Sequence, residues 1–117
     1  MNDNINIIGR YNLETDDGGN YVLSYKINEE GGSLILVDLY VYSIGFNTSY
    51  IIVKQYTRSN GEINRNITNY YIVPIYKDLT YSPTNGIIGP MTFSEFNIEI
   101  NKLGISNIPF SKTLMVE

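Results

Sequence analysis

The sequence predicts an α+β fold: an antiparallel, twisted β-meander of about five or six strands, with one C-terminal helix at about residues 92–103 packed on one face. Three observations carry this expectation. Apolar and polar residues alternate with a period of two along several segments, an Asn60-Gly61 pair separates two such segments, and a capping signature at Thr92 and Glu95 opens a run with apolar residues at helical spacing. With 117 residues and 43% hydrophobic content, the chain is expected to form a single domain, 1–117, whose core needs neither disulfide nor metal.

The first strand is expected over Ile8 to Leu13, and its partner over Tyr21 to Ile27. In the latter, Tyr21, Leu23, Tyr25 and Ile27 alternate with Val22, Ser24 and Lys26. Asp16, Asp17, Gly18, Gly19 and Asn20 connect the two, because Gly and Asn tolerate positive φ. From Ser33 to Ile44 the apolar character is nearly continuous, with Ile35, Val37, Leu39 and Val41 on one face and Leu34, Leu36, Asp38, Tyr40 and Tyr42 on the other. A strand apolar on both faces belongs in the middle of a sheet. Tyr50 to Arg58 forms the next strand, Asn60-Gly61 the hairpin turn, and Ile67 to Tyr76 the strand after it. Pro74 marks an edge, a bulge or the end of pairing.

Ser82 to Gly86 reads as a loop, and Gly89 and Pro90 lead into the helix. Thr92 is the N-cap, Glu95 completes a capping box, and Met91 staples against Phe96. Phe93, Phe96, Ile100 and Leu103 form one apolar stripe read as core, and Gly104 is the stop signal. Ile105 to Val116 is expected to add at most a short edge strand.

The chain contains no histidine and no cysteine. That removes the usual general base at neutral pH, the thiolate nucleophile and the two commonest soft-metal ligands. No catalytic residue, metal site or cofactor is therefore expected. The best enzyme hypothesis is a carboxylate pair drawn from Asp38, Glu62 and Asp78, which needs two carboxyl groups about 5 to 10 Å apart across a cleft. Asp38, set in an apolar strand, is expected at a solvent rim or beside a Lys or Arg.

The Asp16 to Asn20 segment lacks the spaced ligands and closing glutamate of a calcium loop. Gly18-Gly19 and Gly31-Gly32 lack the Lys-Ser or Lys-Thr of a phosphate cradle. An acidic balance disfavours direct nucleic-acid binding. No stretch approaches the ~20 apolar residues of a membrane span, and Met1 to Arg10 has no signal-type block, so a cytoplasmic location is expected.

The net charge of −4 is concentrated at one end. Residues 1–30 hold six acids (Asp3, Glu14, Asp16, Asp17, Glu29, Glu30) against two bases, while the remaining residues hold six of each. Charge collected in this way steers a basic partner. Tyr21 and Tyr25, which share a strand face beside the acidic turns, add rigid amphipathic anchors.

Three blocks carry a resemblance: Ile51-Ile52-Val53-Lys54-Gln55-Tyr56; Asn69-Tyr70-Tyr71-Ile72-Val73-Pro74; and Gly89-Pro90-Met91-Thr92 through Glu95-Phe96 to Lys102-Leu103-Gly104-Ile105. Together they resemble a loose group of small, uncharacterised bacterial β-rich domains, some lipid-anchored and some associated with toxin gene clusters. The resemblance covers about the last two-thirds of the chain and speaks to fold. The acidic single-domain profile is similar to immunity proteins that neutralise toxins of competing bacteria. It implies a cognate protein toxin as partner, of a basic nuclease type, occluded by Glu14, Asp16, Asp17, Tyr21, Tyr25, Glu29 and Glu30. The alternative is a carbohydrate or small-ligand module using a tyrosine-lined sheet face.

Overall fold

A computed structural model describes residues 4–78 and 82–116 of the chain. Asp3, counted above in the acidic quarter, lies outside the described residues. The order of elements is β1 (Asn4–Ile8), β2 (Tyr11–Thr15), β3 (Tyr21–Lys26), β4 (Ser33–Phe46), β5 (Tyr50–Ser59), β6 (Glu62–Pro74), β7 (Ile88–Met91), α1 (Phe93–Lys102) and β8 (Lys112–Thr113). The sheet is antiparallel, with neighbours in the order β1-β2-β3-β4-β5-β6-β7, and β8 pairs with β4 beyond the end of β3.

The fold is thus β-rich α+β, and it holds eight strands where five or six were expected. The segment read as one strand across Ile8 to Leu13 is a hairpin turned at Gly9 and Arg10, with Gly9 at φ 55°. A tight turn inside an otherwise uniform β-prone run leaves little mark on the alternation. β7 is the approach to the helix, and β8 is two residues long, so neither has room for a periodic signal. β6 begins at Glu62, five residues earlier than expected, because the Asn60-Gly61 turn, at φ 53° and 79°, carries pairing straight back along β5.

Seven strands in a flat sheet would hold β2 and β6 far apart, yet their side chains share one core. Tyr11 and Leu13 of β2, Leu23 and Tyr25 of β3, Val37, Val41 and Ile44 of β4, Ile51 and Val53 of β5 and Val73 of β6 form a single buried cluster. The sheet therefore curls so that its first three strands pack over β5 and β6. Register shifts in β4 against both β3 and β5 supply the bend. The Tyr11 hydroxyl closes the curl, donating to the Pro74 carbonyl at 3.3 Å and accepting from the Tyr76 amide at 2.9 Å.

On the opposite face of β5 and β6, Ile52 and Ile72 meet Met91, Phe96 and Ile105 in a second cluster. Alternation along β5 explains both clusters, since residues 51 and 53 face one way and 52 the other. The helix has the expected cap, with the Glu95 amide donating to Thr92 Oγ1 and the Thr92 amide to Glu95 Oε1. One member of the expected stripe departs from it: Phe93 is 61% exposed, while Phe96 is 3% exposed. Phe93 is the first helical residue, so it lies beyond the cover of the sheet and meets the Tyr70 ring in a tilted arrangement, 56° between planes, at a centroid separation of 5.6 Å.

Candidate functional site

The outer face of the first four strands has no apolar cluster laid over it among the described residues. It is built from the positions that alternate with the core: Glu14 opposite Val22, Asn12 opposite Ser24, and Lys26 opposite Ser33. Regular alternation would put Ile35 on the same side as Val37, facing the core. The register shift that passes from Leu23–Val37 to Ser24–Ile35 instead turns Ile35 outward, to 53% exposure, onto the side where Asp38, next to the core-facing Val37, is exposed by ordinary alternation.

A groove of about 400 Å³ follows, in which the carboxylates of Glu14, Asp16 and Asp38 surround Val22, Ile35 and Leu39. A second groove of about 280 Å³ shares Asn4, Glu14 and Ser33 with the first and continues to Lys26 and Glu29.

The acidic residues named from sequence are not a single cluster. Asp16 and Asp17 sit at the turn before β3, and Glu29 and Glu30 at the turn after it, so six strand residues, about 20 Å, separate them. Glu14, opposite Val22 near the Asp16 end, lines both grooves. Asp16 also holds its own turn, its Oδ1 accepting from the Gly18 and Asn20 amides at 2.9 and 3.0 Å. Asp17 and Glu30 are exposed, and Glu29 pairs with Lys26 at 3.4 Å. Tyr21 is half-buried against the core. Tyr25 is 4% exposed and meets Tyr11 edge-on at 5.1 Å, so its ring supplies core packing and no outer surface.

Asp38 is exposed, in keeping with the solvent rim expected as one of its two positions, and it joins the acidic face, a role the sequence did not assign to it. Alternation with the core-facing Val37 is enough to put it there, whereas Ile35 joins that face only through the bulge in β4.

Tyrosine surface lies elsewhere, on the helix-bearing side of β4–β6. Tyr42 and Tyr56 stack at 3.9 Å and 12°, Arg65 lies 5.6 Å over Tyr56, and the Tyr42 hydroxyl bonds Thr68 Oγ1 at 2.6 Å. Burial raises the phenol pKa values of Tyr11, Tyr42, Tyr70 and Tyr71 above the ordinary 10.0. Within the core, Gln55 is a shared polar node. Its Nε2 donates to the Asp38 carbonyl at 2.9 Å, and its Oε1 accepts from Asn69 at 3.0 Å and Tyr71 at 3.1 Å.

Among the described residues no group of three or more His, Cys, Asp or Glu side chains is placed to hold a metal ion, and no helix is long and apolar enough to cross a membrane. A family model described as a protein of unknown function (DUF3997) matches residues 8–113. No curated protein and no solved structure matches the chain.

Proposed function

Because this chain belongs to the DUF3997 family, which is described without a function, we propose from its own geometry that it is an inhibitory binding protein of the immunity type. In this reading the chain carries no chemistry of its own. It docks its acidic sheet face on the basic groove of a protein toxin, of a nuclease type, in the cytoplasm. The observation that supports it best is the continuous outer face in which Glu14, Asp16 and Asp38 ring an apolar floor, extended through Glu14 to Glu29. Carboxylates spread over about 20 Å of a sheet present negative charge at a spacing that suits a groove built for a phosphate backbone. Ile35 offers an apolar contact at its centre.

The alternative, a sugar stacked on tyrosines, draws less support. Tyr42 and Tyr56 spend one ring face on each other and Arg65 covers Tyr56, which leaves little open π surface for a sugar ring.

The test uses the tagged full chain beside a variant carrying Glu14→Lys, Asp17→Lys and Asp38→Lys, with Asp16 left in place because its turn depends on it. The wild type should retain a basic partner encoded near it and suppress that partner's toxicity on co-expression. The variant should associate at least tenfold more slowly at low salt, with the difference shrinking as salt screens the charges. Equal association rates for the two proteins across ionic strength would refute the acidic-face reading.

A further inference from the structure

The seam where the curled sheet closes holds a further cavity, of about 340 Å³, on the core side and apart from the two grooves of the acidic face. Its walls are Ile8, Tyr11, Tyr25 and Ile75, and its exposed rim carries Arg10 and Lys77. We propose that this cavity binds a small amphiphilic anion, a monocarboxylate with an apolar body of about ten non-hydrogen atoms.

Size follows from volume, because at about 30 Å³ for each water-sized group the cavity takes roughly eleven. The apolar body follows from the lining, where aliphatic side chains and phenol rings predominate and the Tyr11 hydroxyl is already committed to Pro74 and Tyr76. The negative head follows from the rim. Among the described residues neither Arg10 nor Lys77 has a carboxylate within 4.0 Å.

Arg10 uses only Nη1 in its bonds to the Lys26 and Ile27 carbonyls, at 3.1 and 3.3 Å, so its remaining donors are available. Tyr25 gives an independent indication. Its ring is 4% exposed and lines the cavity, yet its hydroxyl bonds no described residue, and it is not among the described polar atoms that are both fully buried and unbonded. A buried phenol whose hydroxyl opens on a cavity is a donor placed for an occupant.

Octanoate is the probe, with octanol as its uncharged counterpart, titrated into the full chain and followed by heteronuclear NMR. Octanoate should bind saturably, at least tenfold more tightly than octanol, and should move the resonances of Gly9, Arg10, Ile75, Lys77 and the Tyr25 ring. Lys77→Gln, which breaks no hydrogen bond among the described residues, should reduce the preference for the anion, and Arg10→Gln with Lys77→Gln should abolish it. Equal affinities for octanoate and octanol would overturn the proposal. So would shifts centred on the exposed Phe93 and Ile98, or an anion preference that survives both substitutions.

Discussion

Tyr11 is 1% exposed, and its hydroxyl makes two bonds that reach more than sixty residues along the chain. Removing that oxygen leaves the Tyr76 amide and the Pro74 carbonyl to find other partners at the seam. Tyr11→Phe should lower stability by about 1–3 kcal/mol, read from the urea midpoint at unchanged slope. Gly45 is fixed by approach instead of by φ. A Cβ there would stand 1.9 Å from the Pro109 carbonyl oxygen, which is backbone and cannot swing aside. Gly45→Ala should cost about 1–3 kcal/mol or more by overpacking, and amide exchange at Lys112 and Thr113 should quicken as β8 loosens.

Buried Tyr11 and the half-buried phenols of Tyr42, Tyr70 and Tyr71 set a pH dependence with a definite sign. Folded-state pKa values of Tyr11, Tyr42, Tyr70 and Tyr71 lie above the 10.0 of the unfolded chain. Well below pH 10.0 both states keep the proton and these groups contribute no slope. Above it the unfolded state ionises first, so stability falls as pH rises through the folded values. Urea midpoints measured on either side of pH 10.0, with phenolate absorbance followed in parallel, check this. A midpoint that holds steady while the four phenols ionise would contradict it.

At the scale of elements, the helix and the hairpin were legible because each announces itself within a few residues. Thr92 and Glu95 bond each other's backbone amides, and Asn60 and Gly61 adopt the positive φ values that a two-residue hairpin demands. Thr92→Ala should therefore cost about 1 kcal/mol, and local amide exchange in Phe93–Lys102 should rise while β2 and β3 keep their protection. The β1–β2 split and β7 were not legible, and β8 was legible only as a short strand somewhere in Ile105 to Val116, without its partner β4. Their pairing depends on chain reversals of one or two residues, or on partners far along the chain. The same holds for Ile35, whose outward turn is a property of the bulge against β3, and no local pattern encodes it.

At the scale of the whole molecule, the curl decides which residues meet. The sequence placed Tyr21 and Tyr25 beside the acidic turns, but closing the sheet sends the Tyr25 ring inward and leaves Glu14 and Asp38 outside. The two cores lie on opposite faces of the same two strands. Ile51 and Val53 feed one and Ile52 the other, while Val73 and Ile72 divide in the same way. A strand cannot keep its ladder on behalf of one face after the other face has lost its cover, so both cores should melt together. The chain has no tryptophan, and Phe93, at 61% exposure, accepts one without crowding the core. In Phe93→Trp, indole fluorescence reports the helix face and far-ultraviolet dichroism reports the sheet. Leu13→Ala on the far core should cost about 2–5 kcal/mol and move both transitions by the same amount. A fluorescence transition that stays in place while the dichroism shifts would mean that the helix face and the curled strands are separate folding units. The shared strands β5 and β6 would then not couple them.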